Sequence, residues 1–218
     1  NPSLFYSHYL NDVKVDMDLI HLNLSRLLIN QKIICINRNS SEIGPRALGR
    51  RSIIAIATSE EIRDKINHSK GRENWRPLAP ICCDIDYNIF FDGDVDESIF
   101  MLFTNKVKSH KLKGVTHIDN TARVQSLKDK NDWLYKTIQD LKNYNELPVI
   151  INTSFNCSEE PIVENLNQSI KSFKKMNFDY LLYNERLFFK KINSNLVENF
   201  FKKDDFNVKQ YKVRKNIA

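Results

Sequence analysis

The sequence predicts one domain of the α/β or α+β class, and two observations carry that prediction. Short apolar runs of strand length alternate with segments whose apolar residues recur every three or four positions, the period of a helix with one buried face. The chain has 218 residues, 41% hydrophobic and 28% charged, which is enough to bury a sizeable core and too apolar for wholesale disorder.

The elements follow in order. Residues 1–18 read as a linker or the end of an upstream domain, and the start at Asn1 is expected to be a cut through something longer. From Met17 to Asn30, the spacing of Ile20, Leu24, Leu27 and Leu28 predicts a helix. Lys32–Asn37 and Ser52–Ala57 read as strands on either side of a polar loop, 38–49. Thr58 with Glu61 reads as a capping box, opening a helix to about Asn67. The loop 69–77 precedes a strand at Leu78–Cys83, and a further strand is expected at Phe100–Phe103. Arg123–Leu127 reads as a strand, and Leu134, Ile138 and Leu141 mark a helix. Pro148–Asn152 is a strand, Asn165 with Gln168 caps a helix through Met176, and strands at Tyr180–Tyr183 and Leu187–Phe189 close the domain at about residue 190. Residues 191–218 form a basic tail.

Composition excludes several classes. No run of about 18 apolar residues exists, so no membrane span is predicted, and the first residues lack the pattern of a secretory signal. The four cysteines, Cys35, Cys82, Cys83 and Cys157, show no CxxC spacing, which suits a reducing, cytoplasmic setting. The pI near 9.0 invites a nucleic-acid reading. However, residues 190–218 hold eight Lys/Arg against three Asp/Glu, so +5 of the net +6 belongs to the end of the chain. The remaining excess is local: residues 38–76 carry nine cations against five acids.

Four loops place cationic or amide side chains beside constrained backbone. In the first, Gly44, Pro45 and Gly49 bracket Arg46, a geometry that suits a guanidinium held on an anion, with solvated surface charge as the alternative for Arg50 and Arg51. The second runs from Lys70 to Pro77. Lys70 and Arg76 are placed to reach one polyphosphate, Arg72 and Glu73 read as an ion pair, and Trp75 reads as a packing anchor. In the third, 115–125, His117 and Asp119 are a hydrogen-bonded pair or, as the lesser alternative, metal ligands without a nearby third. If its end is a strand, Arg123 and Gln125 share a face and Val124 takes the other. The fourth, 151–156, sets Asn152 and Ser154 at a strand end, where α/β folds bind ligands; an Asx or Ser/Thr turn is the plain alternative. There is no GxSxG, Walker A, GxGxxG or HExxH pattern.

Taken in order, these loops resemble the C-terminal domain of the O-carbamoyltransferase family, which includes tobramycin, cephem and nodulation-factor carbamoyltransferases. The matching pieces are Gly44-Pro-Arg-Ala-Leu-Gly49 with Arg51-Ser-Ile53, Lys70-x-Arg-Glu73 with Trp75-Arg-Pro-x-Ala-Pro80, His117-x-Asp119 with Thr121-Ala-Arg-Val-Gln125, and Asn152-Thr-Ser-Phe-Asn156 with Glu160-Pro-Ile-Val163. They cover residues 19–190. The resemblance implies a fold similar to threonylcarbamoyl-adenylate synthase (YrdC-like), a twisted open mixed sheet flanked by helices around a basic cavity. It implies that ATP and carbamoyl phosphate become carbamoyl-adenylate, phosphate and pyrophosphate, with Mg2+ accompanying ATP. A separate N-terminal domain, holding Fe2+ or a similar metal on histidines, then passes the carbamoyl group to a small-molecule hydroxyl acceptor. By the same resemblance Arg46, Lys70, Arg76 and Arg123 match phosphate-binding cations, and Asn152 and Ser154 match nucleotide and phosphate contacts. Two positions depart from the family pattern. Arg50 stands where a small polar residue is common, and Ser158-Glu-Glu-Pro161 replaces a Gly-Glu-Pro-Ile pattern, so the local turn is expected to differ. The competing readings are a nucleic-acid-binding module and a degenerate domain that binds nucleotide without turnover.

Overall fold

The computed structural model describes residues 10–190; the expected basic tail, 191–218, lies outside them. The order of elements is β1 (Leu10–Lys14), α1 (Ile20–Ile29), β2 (Ile34–Asn37), β3 (Arg51–Ile56), α2 (Glu60–Ser69), β4 (Ala79–Cys83), α3 (Asp84–Phe90), β5 (Phe91–Asp92), β6 (Asn105–Val107), β7 (Thr121–Ala122), β8 (Gln125–Leu127), α4 (Trp133–Asp140), β9 (Val149–Ser154), α5 (Leu166–Met176), β10 (Tyr180–Tyr183) and β11 (Arg186–Lys190). A 3-10 turn, Leu141–Tyr144, follows α4.

Eight strands form one sheet in the order β1-β11-β10-β2-β3-β9-β4-β8, whose first and last strands do not pair, so it is open. The pairs β10/β2 and β4/β8 are parallel and the rest antiparallel, giving a mixed sheet. A small antiparallel sheet, β5-β6-β7, stands beside it. Helices α1 and α4 pack on each other and reach β3 and β4, while α5 packs on β2 and β10. Every residue of β2, β3 and β4 is buried, which explains why these strands read as continuous apolar runs without alternation.

The helix ends follow their capping chemistry. Asn165 and Gln168 form the expected capping box of α5, and Asn177 ends it in the left-handed region at φ 59°. At α2 the cap is Ser59, whose side chain accepts from the Ile62 N–H at 3.2 Å, and not Thr58. Thr58 instead donates to Glu146 Oε1 at 3.3 Å, tying the end of β3 to the turn before β9.

Three further expectations need correction. The segment from Leu10 is not linker, because β1 pairs with β11 over five residues of the main sheet. No strand forms at Phe100–Phe103: Phe100, Leu102 and Phe103 are exposed and Met101 turns the chain at φ 56°. The strand expected over 123–127 starts only at Gln125, because Arg123 and Val124 stand between β7 and β8, two strands of different sheets, so Arg123 and Gln125 do not share a strand face.

The registers gather the four loops. Asn37 lies opposite Arg51, Ser52 opposite Ser154, Ala79 opposite Asn152, and Ile81 opposite Gln125. The loops before β3, β4 and β8 and the loop after β9 therefore leave the sheet at the same end. That end also holds the buried polar side chains Asn37, Arg51, Ser52, Gln125 and Asn152, next to the apolar runs of β2, β3 and β9.

Candidate functional site

Loop 38–50 is held from within. Glu42 Oε1 accepts from the backbone N–H groups of Leu48 (2.7 Å), Arg50 (2.6 Å) and Arg51 (3.3 Å), and Gly49, at φ 107°, donates to Ser52 Oγ at 2.9 Å. Arg51 is not a solvated charge. It is 3% exposed, and its guanidinium donates to the carbonyls of Arg38 (2.7 Å), Asn39 (2.9 Å), Arg50 (3.2 Å) and Glu164 (3.4 Å), pinning the loop to the segment before α5. Arg50 is exposed. Arg46 sits on the exposed crown with no hydrogen bond or ion pair among the described residues.

Lys70 ends α2 and is 1% exposed. Its ammonium donates to the Ser154 carbonyl, to the Asn156 carbonyl at 2.7 Å and to Asn156 Oδ1 at 3.2 Å, which uses all three N–H groups. Ser154 Oγ donates to the same Asn156 Oδ1 at 2.6 Å, and the Ser158 N–H returns to the Lys70 carbonyl at 2.9 Å. Burial, reinforced by Arg72, pulls the Lys70 pKa down to about 7, while its three acceptors favour the ammonium. Lys70 is thus a clamp on the turn after β9, and in this arrangement it does not reach open space beside Arg76.

The rest of that loop is open. Glu73 accepts from Arg76 Nε at 2.6 Å, so the acid pairs with Arg76 and not with its neighbour Arg72. The Arg72 guanidinium has no hydrogen-bond or ion-pair partner among the described residues, and its pKa is lowered by burial and then by Arg76. Trp75 is 75% exposed, with the Arg76 guanidinium 5.8 Å from its ring, and so is no packing anchor.

Asn152 is buried on β9, where its Nδ2 donates to the Ala47 carbonyl and to Gln125 Oε1, both at 2.8 Å, while Gln125 Nε2 donates to the Leu48 carbonyl at 2.9 Å. These bonds tie loop 38–50 to β9 and β8. Asn152 Oδ1 is buried without a partner. Arg123 sits between β7 and β8 with a buried Nε that also lacks a partner, and burial, then Arg46, lowers its pKa. His117 and Asp119 are linked through Thr121, whose Oγ1 lies 3.2 Å from His117 Nδ1 and donates to Asp119 Oδ1 at 2.7 Å. No group of three or more potential metal ligands occurs among the described residues.

The structure therefore brings together Arg46 with Arg123, Lys70 with Ser154, and Asn152 with both loop 38–50 and Gln125. Asn152 and Ser154, two residues apart on β9, link these groups on one strand face. Sequence reasoning passed over Arg72, assigned to an ion pair that does not form, and Asn156, although both lie within the motif pieces it quoted. A cavity of about 700 Å3 adjoins the site, bordered by Glu42, Leu48, Gly49, Gln125, Lys128 and Asp132, but none of the four candidate cations lines it.

The family profile for the carbamoyltransferase C-terminus matches residues 25–190. The chain belongs to that family. Among relatives, an uncharacterized protein of Methanocaldococcus jannaschii is 40% identical over 183 residues, covering 79% of this chain and 35% of that protein. Nodulation protein NolO of Bradyrhizobium diazoefficiens is 37% identical, covering 71% and 30%, and the 3'-hydroxymethylcephem-O-carbamoyltransferase of Amycolatopsis lactamdurans is 31% identical, covering 70% and 29%. This carbamoyltransferase C-terminal domain thus spans about a third of the curated relatives it matches. Its fold is similar to parts of HypF in the phosphate- and nucleotide-bound form (TM-score 0.54, 22% identity, covering 76% of this chain and 25% of HypF) and of P. abyssi Sua5 complexed with L-threonine (TM-score 0.56, 14% identity, 78% and 48%). No helix among the described residues is long and apolar enough to cross a membrane.

Proposed function

We propose that this domain binds ATP and carbamoyl phosphate at the end of the sheet where the four loops meet and forms carbamoyl-adenylate. The observation that carries this reading is the crowding of guanidinium groups: Arg46 and Arg123 beside one another without a counter-anion among the described residues, Arg123 with a buried orphan donor, and Arg72 beside Arg76, where the single carboxylate, Glu73, is taken by Arg76. Like charges held together at a half-buried site raise one another's energy, and a polyanion relieves that repulsion. The ligand-directed cations are Arg46, Arg72, Arg76 and Arg123, with Lys70, Ser154 and Asn156 shaping the turn they surround.

The chemistry balances with water. Hydrolysis of carbamoyl phosphate yields carbamate and phosphate; a carbamate oxygen then attacks the α-phosphorus of ATP, and the bond to pyrophosphate breaks. Carbamate is already anionic, so no base is needed, and the arginines offset the repulsion between it and the triphosphate. Mg2+ arrives on the phosphate oxygens, held mostly by them and by water. Transfer to a hydroxyl acceptor belongs to an N-terminal metal-binding domain of the kind its longer relatives have room for, in cis or in trans.

The test is pyrophosphate release from ATP, with Mg2+, as a function of carbamoyl phosphate. Release that depends on carbamoyl phosphate is expected; ATP binding without release would point to a nucleotide-binding domain without turnover. Nucleic-acid affinity that falls steeply with salt and ignores the pocket arginines would sink the proposal.

A further inference from the structure

His117 stands beside Arg123 but is not one of the proposed phosphate-binding groups. His117 lies in a tight turn: its N–H donates to the Thr121 carbonyl at 2.8 Å, its carbonyl accepts from Asn120 at 3.0 Å, and Asn120 turns the chain at φ 61°. The side chains in this turn fix one another. Asp119 accepts twice from Thr121, from the backbone N–H at 3.0 Å and from Oγ1 at 2.7 Å, and these bonds hold its pKa below the usual carboxylate value. Thr121 has a single hydroxyl proton, and the carboxylate can only accept, so that proton goes to Asp119. The 3.2 Å contact between Thr121 Oγ1 and His117 Nδ1 must then be donated by the imidazole. The tautomer follows: Nδ1 carries the proton and Nε2 presents a lone pair. Burial, with Arg123 nearby, lowers the His117 pKa against the opposing pull of Asp119, which keeps the ring neutral.

An acceptor beside a cationic site has a specific use. Phosphate and carbamate oxygens can only accept from the arginines, whereas the carbamoyl group also carries an NH2 whose protons need an acceptor. Among the charged and titratable neighbours of His117, Arg123 only donates, and Asp119, which takes both Thr121 bonds on Oδ1, is an exposed carboxylate whose charge repels an anionic substrate. We infer that His117 Nε2 accepts a hydrogen bond from the carbamoyl NH2, and so distinguishes carbamoyl phosphate from acyl phosphates that carry a methyl group there. The inference rests on the proposed substrate and deepens it: a site that holds an N–H with a fixed lone pair leaves that lone pair unpaired when the N–H is replaced by a methyl.

The experiment uses the full chain labelled with 15N at histidine, and the His117 resonances are assigned with a His117→Leu variant. Carbamoyl phosphate, acetyl phosphate and inorganic phosphate are titrated in turn. The expected result is a shift of the Nε2 signal with carbamoyl phosphate alone, with Nδ1 remaining protonated throughout. In parallel, His117→Leu should weaken carbamoyl phosphate binding about tenfold, the size of one neutral hydrogen bond, and leave acetyl phosphate binding unchanged. His117→Asn, which can present an amide oxygen, should recover part of the preference. Saturating carbamoyl phosphate with an unmoved Nε2, or an equal shift with acetyl phosphate, overturns this inference and leaves the adenylate-forming reading standing. Failure of carbamoyl phosphate to bind the wild-type chain at all overturns both.

Discussion

Lys70 and Arg123 come from two of the same sequence motifs, stand near strand ends at the same end of the sheet, and neither has a carboxylate partner. Lys70 is 1% exposed with every donor on an oxygen of the turn after β9, whereas Arg123 is half-buried with an orphan Nε and another guanidinium for company. A buried cation whose donors are all satisfied is part of the frame. One whose guanidinium meets no acceptor among the described residues, with a donor buried and unmatched, is built for something that arrives later. A similar contrast separates Arg51, whose terminal guanidinium nitrogens donate to four carbonyls and leave only Nε unmatched, from Arg46, which donates to none among the described residues.

Substitutions should break this comparison in opposite ways. The largest effect is expected for Arg123→Ala, which should lower carbamoyl-phosphate-dependent pyrophosphate release by about 100-fold or more while the urea midpoint stays nearly where it was. Arg46→Ala should act in the same direction. Lys70→Met should do the reverse. It leaves the carbonyls of Ser154 and Asn156 and the Asn156 amide oxygen without their donor, and it should cost about 3 kcal/mol of stability in urea unfolding.

The pH dependence sharpens the contrast. Lys70 is held near 7 in the folded chain against an ordinary 10.5, so between these values the unfolded chain binds more protons. Stability of the wild type, relative to Lys70→Met, should therefore rise as pH goes from about 7 towards 10.5 and be flat below 7, which melting across that range will show. A polyphosphate bound beside Arg72 should favour the ammonium. Binding of MgATP at pH 7.5 should then take up a fraction of a proton, seen as a binding enthalpy that varies with the ionisation enthalpy of the buffer.

The smallest effect concerns Glu159. It lies in the Ser158-Glu-Glu-Pro161 segment, and the backbone there is left-handed at φ 62°. The turn that the sequence expected to differ is thus held in a conformation a glycine adopts freely, and Glu159→Gly should raise stability by about 1 kcal/mol in the same urea assay.

What the sequence made legible follows from the range of the interactions involved. The apolar runs of β2, β3 and β4 and the capping box of α5 are local signals, and both appear where they were expected. Strand β1 is held by its pairing with β11, nearly the whole described chain away, and nothing within Leu10–Lys14 announces that partner. The motif loops marked the right end of the sheet but could not rank their own residues. Whether Lys70 points at a ligand or at Ser154 and Asn156, and whether Glu73 takes Arg72 or Arg76, depends on contacts that spacing does not fix. Asn152 shows the same limit. Its strand-end position suggested a ligand contact, and its amide nitrogen proves to fasten Ala47 and Gln125, with only Oδ1 left over.

The central claim is that Arg123 is directed at a polyanion while Lys70 holds the turn that shapes its site. Calorimetric titration of MgATP into the wild type and Arg123→Ala, at one moderate salt concentration, tests it most directly. The account predicts that binding weakens at least about tenfold in Arg123→Ala with an unchanged melting temperature, as for loss of a charge-assisted contact. Equal affinity in the two proteins would contradict it.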